Sequence, residues 1–160
     1  VPAEGFEEWY IERHRRVVVS LAAHCGDLEL AHDAASEAFA RAFAHWDRVR
    51  VMPSPAGWVY RVGLNMVRRA ARRRALEARF LRRELPRPAE LHSYPEVWAA
   101  VRSLPERQRQ AVVLRFVADL AEADIAVAMG VSRGTVASTL SDARHRLAGL
   151  LGDPSPTEAI

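Results

Sequence analysis

The chain of 160 residues contains no lysine, and all 23 of its basic residues are arginine. Together with its many alanines this is what a GC-rich coding sequence produces, so arginine in place of lysine is not by itself a sign of binding. Cysteine is almost as scarce. The single Cys25 excludes an internal disulfide and a thiolate metal cluster, and it fits a reducing compartment. Beside Gly26 it lacks a nucleophile context, so a buried structural role is expected. No apolar run is long enough to cross a bilayer, and the N-terminus shows no secretory pattern, so a cytoplasmic protein without membrane insertion is expected. The chain begins Val1-Pro2 without a methionine, as expected for a trimmed chain or an alternative start codon. Alternation of apolar and polar residues, the mark of a half-buried strand, stands out nowhere. There is no glycine-rich phosphate loop. The histidines His14, His24, His32, His45, His92 and His145 include no pair four apart with a glutamate between, so no zincin-like site is expected. An enzyme is therefore the least supported class. No small-molecule substrate, metal or cofactor is implied.

What is present is helix periodicity. Nearly half the residues are apolar, enough for a folded core. In "DAASEAFARAFAHWDRV" Ala35, Phe39, Ala42 and Trp46 step by four, three and four, which makes one apolar stripe. Asp33 and Glu37 fall near its start, where negative charge suits the helix dipole. "FEEWYIERHRRVVVSLAAHC" has a similar pattern, closed by Gly26. "VRVMPSPAG" carries two prolines and a glycine and reads as a loop. "WVYRVGLNMVRRAARRR" follows as a helix, with Val59, Val62 and Met66 expected to face inward. The pattern then breaks in "LRRELPRPAELHSYP", which has three prolines and no apolar period. The expected architecture is all-α: a first helical domain over 1–80, a flexible linker over 81–95, a second over 96–152, and a disordered tail over 153–160.

Charge is distributed unevenly along this plan. Residues 1–47 hold 4 arginines and 9 acids, whereas 48–87 hold 12 arginines and 2 acids. From 88 to the end there are 7 arginines and 9 acids. A block as basic as the middle one suggests an anionic partner. No acid occurs between Arg48 and Leu76, and the cluster of Arg68, Arg69, Arg72, Arg73 and Arg74 departs from the mixed signs of an ordinary solvated surface.

The stretch "AEADIAVAMGVSRGTVASTLSDARHRLAGLL" has the rhythm of a helix, a tight turn and a second helix. Ile125 and Ala128 face inward on the first. Gly130 takes the left-handed cap conformation, Val131 tucks into the angle, and Ser132 caps the second helix. Val136, Leu140, Ala143 and Leu147 form the buried stripe of that helix. The opposite face presents Gly134, Ala137, Ser138, Ser141 and His145, with Arg133 at the entrance. Small residues there permit close approach to a DNA groove. Spacing alone leaves two readings open, a helix-turn-helix that reads DNA and a plain helical corner.

The region from Leu104 to Leu151 resembles the promoter-recognition domain, region four, of bacterial sigma factors of the extracytoplasmic-function type. The residues carrying the likeness are Leu104-Pro105 with Arg109 and Leu114, Asp124-Ile125-Ala126, Gly130-Val131-Ser132, Gly134-Thr135-Val136, and Ala143-Arg144 with Leu147. "ELAHDAASEAFARAFAHW" is similar to the region-two helix that grips core RNA polymerase, with Ser36 where glutamine is usual. "PSPAGWVYRVGLNMVRRAARRR" resembles the segment that handles the minus-ten element, with Arg69 in place of a usual acid. The likeness covers roughly Phe6 to Leu151. It implies an alternative sigma factor that binds core RNA polymerase and promoter DNA and commonly pairs with an anti-sigma factor.

Residue by residue, the resemblance implies polymerase contacts at Asp33, Ser36, Glu37, Phe39 and Arg41. It implies minus-ten contacts at Trp58, Arg61, Asn65 and Arg72, with the loop from Val49 to Gly57 capturing a flipped base, and the acid-free charge pattern adds Arg68, Arg69 and Arg73 to the same expected surface. Minus-thirty-five contacts are implied at Ser132, Arg133, Gly134, Thr135, Ala137, Ser138, Ser141 and Arg144. Basic residues usual in this helix are replaced by Ala137, Thr139 and Asp142. The rival function is a stand-alone helix-turn-helix regulator that dimerises through its first domain.

Overall fold

The computed structural model describes residues 4–81 and 94–152. The linker expected over 81–95 and the tail over 153–160 therefore lie largely outside the described residues. Eight helices follow in chain order: α1 (Phe6–Cys25), α2 (Leu28–Ala44), α3 (Trp46–Val49), α4 (Pro55–Leu81), α5 (Pro95–Ser103), α6 (Glu106–Phe116), α7 (Glu122–Met129) and α8 (Arg133–Leu151). There is no strand among the described residues.

The N-terminal half is α1, α2 and α4 around an alanine-rich seam. Ala31, Ala34, Ala35, Ala38 and Ala42 are all fully buried on α2. Side chains this small let neighbouring helices approach closely, and α2 packs on both α1 and α4. Asp27 caps α2, accepting from the Leu30 N–H at 2.9 Å, and its other carboxylate oxygen pairs with Arg74 of α4. Those two hydrogen bonds, the Leu30 one foremost, hold the Asp27 carboxyl below its usual value.

The stripe read along α2 is buried at Ala35, Phe39 and Ala42, while Trp46 opens the short α3 instead of continuing α2. Phe6, Trp9, Tyr10, Phe39 and Trp46 form one aromatic cluster, with centroid separations of 4.9 to 6.0 Å. The Trp46 indole N–H donates to the Glu4 carbonyl at 2.9 Å, tying the start of α1 to α3. Ser54 starts α4 by accepting from the Gly57 N–H at 3.0 Å.

The inward face of α4 is Val59, Tyr60, Leu64 and Val67. Of the trio expected inward, Val59 is in the core, whereas Val62 and Met66 are only partly buried at its rim. The buried Tyr60 hydroxyl lies 3.3 Å from Ser20 Oγ, and burial pushes its pKa up to about 12.

The C-terminal half is α5 to α8. Pro95 opens α5, where a missing N–H costs nothing. Gly130, at φ 67°, ends α7, and the Val131 N–H turns back to the Ala126 carbonyl at 3.0 Å. Ser132 Oγ accepts from the Thr135 N–H at 3.1 Å, starting α8. Val136, Leu140 and Ala143 are buried, with Leu147 packed at the edge. This is the helix-turn-helix expected from the sequence.

The two halves pack directly on one another, α4 against α7 and α1 against α6. No apolar stripe in the sequence announces this contact, because backbone and small residues make much of it. A Cβ placed on Gly57 would stand 2.7 Å from the Asp124 carbonyl oxygen and 3.0 Å from Val127 Cβ. Glycine at 57 is what lets α7 sit on the start of α4.

Candidate nucleic-acid interface

The arginines of α4 fall into register because four residues make slightly more than one helical turn. Arg61, Asn65, Arg68, Arg69 and Arg72 therefore share one side of the helix. Arg61, Asn65, Arg69, Arg72 and Arg73 are exposed, while Arg68 and Trp58 are half-buried. Trp58 packs against the core, so its ring is partly structural. Among the described residues Arg61, Arg69 and Arg72 have no carboxylate partner, and Arg73 has only a loose one in Glu77, at 3.9 Å. Unneutralised guanidinium groups along one side of a helix are suited to a row of phosphates.

Part of this side is occupied by the C-terminal half. The Arg61 guanidinium lies over the end of α7, 3.6 Å from where a Cβ on Gly130 would stand. The carbonyls at a helix C-terminus attract a cation there. Arg68 Nε pairs with Glu106 Oε1 of α6 at 3.1 Å. The loop before α4 is partly covered too, since Ser54 and Gly57 are buried while Val51 and Pro53 remain exposed.

On α8 the outward side carries Arg133, Gly134, Thr135, Ala137, Ser138, Ser141 and Arg144, all exposed. Several of its hydroxyls are engaged locally. Ser132 caps the helix and lies 2.9 Å from Thr135 Oγ1, and Ser138 Oγ donates to the Thr135 carbonyl at 3.1 Å. Ser141, the N–H groups of Arg133 and Gly134, and the two arginines remain as free donors.

On α2, Asp33, Ser36 and Arg41 are exposed and Glu37 is half-buried, forming an outward patch. Arg41 Nε pairs with Glu37 Oε1 at 2.7 Å. Phe39 belongs elsewhere. It is 2% exposed inside the aromatic cluster, and a side chain so placed supports the patch from beneath instead of touching a partner.

Sequence reasoning missed the groups where the halves meet on the α1–α6 side. His24 of α1 is buried there, facing Arg109 and Glu106 of α6 and Arg68 of α4. Burial first, then the Arg109 guanidinium, lowers the His24 pKa to about 4, and Glu106 opposes the shift. No spacing rule marks these residues, because they meet only when the halves do. Cys25 is half-buried, and burial raises its thiol pKa, which fits a structural thiol. Among the described residues no cluster of three metal-ligating side chains occurs, and no helix is long and apolar enough to cross a membrane.

The same division into halves appears in comparisons with known proteins. The family model "Sigma-70 region 2" matches residues 10–77, and "Sigma-70, region 4" matches residues 95–147. The ECF RNA polymerase sigma factor SigM of Mycobacterium tuberculosis is 30% identical over 152 residues, covering 92% of this chain and 78% of that protein. The ECF RNA polymerase sigma factor EcfG of Rhodopseudomonas palustris is 28% identical over 134 residues, covering 79% of this chain and 74% of that protein. Among solved structures, the sigma factor RpoE of Bartonella quintana, in complex with the anti-sigma factor NepR, shares the fold. Its TM-score is 0.81 at 20% identity, over 94% of this chain and 98% of that one. CnrH, in complex with the cytosolic domain of CnrY, superposes with a TM-score of 0.67 at 20% identity, over 96% of this chain and 94% of that one. Two sigma regions in their family order, and a relative matched along nearly the whole chain, account for the helix-turn-helix and the arginine helix together: the chain belongs to the ECF RNA polymerase sigma factors, which join core RNA polymerase and direct it to promoters.

Proposed function

We propose that this sigma factor docks on core polymerase through the outward patch of α2 and engages the minus-ten region through α4. By the same reading it reads the minus-thirty-five region through α8, and the packed arrangement of its halves is a resting form. The observation that carries the proposal is the arginine side of α4, which is unneutralised where exposed and otherwise held by the C-terminal half. Polymerase contacts are assigned to Asp33, Ser36, Glu37 and Arg41, with Phe39 fixing the helix beneath them. The protein works in the cytoplasm beside polymerase and chromosome. It is not itself a catalyst, since bond making belongs to the polymerase.

The resting-form reading follows from lengths. The two promoter elements, as their names imply, are about 25 base pairs apart, or ~85 Å of B-DNA at about 3.4 Å per step. A compact chain of this size has a radius of gyration of only ~15 Å. Both reading helices can reach their elements only if the halves separate, which also frees Arg61 and Arg68. An anti-sigma factor of the kind bound to RpoE of B. quintana would act by favouring the closed arrangement.

The decisive test is binding of the purified chain to core RNA polymerase in the absence of DNA. Saturable binding that Glu37→Arg weakens at least tenfold, with the fold retained by circular dichroism, is the expected result. Undiminished binding by the variant would remove α2 from the docking surface.

A further inference from the structure

On the α1–α6 side, the two halves enclose a groove of about 560 Å³. Its walls come from the end of α1 and from α4 in one half, and from α5 and α6 in the other. Five arginines line it, Arg68, Arg72, Arg74, Arg102 and Arg109, against two acids, Asp27 and Glu106. Each acid is already taken, Asp27 by Arg74 and Glu106 by Arg68. Arg72, Arg102 and Arg109 are left without a carboxylate among the described residues.

Two buried atoms in the groove wall also lack partners. Arg109 donates one guanidinium N–H to the Arg102 carbonyl at 3.0 Å, but its Nε has no acceptor. His24, 8% exposed, has an unpartnered Nδ1. A neutral imidazole can carry its proton on either nitrogen, so Nδ1 can donate. Both atoms are sealed from the groove itself, so they show that this wall is short of acceptors, and the surplus guanidinium groups of Arg72, Arg102 and Arg109 mark the place for an anion. Leu30, Val67 and Ala71 add an apolar strip along the same groove.

We propose that this groove binds a small phosphate-bearing anion, held between Arg72 of α4, Arg102 of α5 and Arg109 of α6, and that the bound anion clips the two halves together. The groove has the volume of an ordinary small-molecule site and exceeds a single phosphate, so a diphosphate or an organic phosphate lying on the apolar strip fits it. Because the walls belong to different halves, the ligand gains its full set of contacts only in the closed form. It therefore opposes the opening that promoter binding requires. The inference rests on the resting-form reading above, but not on how the chain docks to polymerase.

The test is calorimetric titration of the full chain with inorganic pyrophosphate at low ionic strength. One-to-one binding is expected, weakened about tenfold or more by Arg102→Ala and by Arg109→Ala, as loss of one charge-assisted contact implies. Arg15→Ala removes an exposed charge on α1 outside the groove and should leave the affinity unchanged. Equal weakening by Arg15→Ala would reduce the effect to diffuse attraction and overturn the site. Loss with Arg72→Ala but not with Arg102→Ala would overturn the bridging.

DNA backbone offers the same chemical group. A short duplex without promoter elements should therefore keep its affinity in Arg102→Ala, and a duplex weakened as much as pyrophosphate would transfer the groove to DNA. Polymerase binding by the same variants, measured without pyrophosphate, should match wild type. That separates failure of this site from failure of the docking surface.

Discussion

The two helices proposed to engage DNA are built on opposite plans. The 27-residue α4 crowds its arginines on one side with no acid before Glu77, whereas the 19-residue α8 shows glycine, alanine and serine between two arginines. Arginine rows supply affinity that is blind to sequence and falls steeply with salt. Small side chains supply closeness, letting backbone and a few donors reach base edges. The difference teaches a division of labour. On the proposed reading, α4 contributes most of the attraction, and α8 contributes position with little charge of its own. The C-terminal half engages Arg61 and Arg68 of α4 and leaves the outward side of α8 open.

The largest expected effect breaks the comparison at α4. Replacing Arg68, Arg69 and Arg72 together by alanine should weaken promoter binding by the polymerase-bound protein on the order of a hundredfold to a thousandfold, if each phosphate contact is charge-assisted. The slope of log affinity against log salt should fall by about 2.7, at ~0.9 per phosphate lost. A slope matching wild type would falsify the assignment of this helix to DNA.

Acid should loosen the contact between the two halves. His24 has an ordinary pKa of 6.5 when unfolded and one lowered to about 4 here, so between those values the unfolded chain holds the extra proton. The stabilisation from keeping His24 neutral is present above pH ~6.5 and is lost as pH falls toward 4. By pH 5 the loss is roughly 2 kcal/mol, following the linkage relation. Urea unfolding followed from pH 7 to pH 5 checks this, and the pH dependence should flatten in His24→Leu.

Gly57→Ala sharpens the comparison from the other direction. The added methyl meets the Asp124 carbonyl, and within its own half it meets only the movable Ser54 hydroxyl. Overpacking of this kind costs about 1–3 kcal/mol, here charged to the contact between halves. Scattering in solution should show a larger radius of gyration for the variant. An unchanged radius would mean that α7 yields locally.

At α8 the effects are smaller. Arg133→Ala or Arg144→Ala should cost about tenfold in promoter affinity and reduce the salt slope by about one. The reverse change, Ala137→Arg, should raise affinity and salt sensitivity toward the α4 pattern. Electrophoretic mobility shifts over a salt series would read both.

Much of the fold was legible because it rests on local rules. Gly130 and Ser132 mark the turn between α7 and α8 by backbone conformation and capping, and both act as expected. The stripe of α2 was legible through period, except that Trp46 restarts the chain in α3. On α4 period misled in part. Val62 and Met66 lie at the rim, while Tyr60 and Leu64 take the core. That helix has neighbours on two sides, α2 and α7, so no single stripe describes it.

Charge pattern located the arginine side but could not say that Arg61 and Arg68 would be engaged by the other half. Their partners, the end of α7 and Glu106, are distant in sequence and carry no motif. Phe39 shows the converse, since a family pattern that includes it marks a helix face without distinguishing contact from support.

Gly57 has a consequence for the genetics of this protein. If the packed arrangement is the resting form proposed above, a position where the absence of one carbon holds it together is a one-step route to alleles that are active without their signal. Alanine is a single base change from any glycine codon. Selections for uninduced transcription from this factor's promoters should return substitutions at Gly57 and at its contacts on α7, and such alleles should be dominant over the wild-type copy.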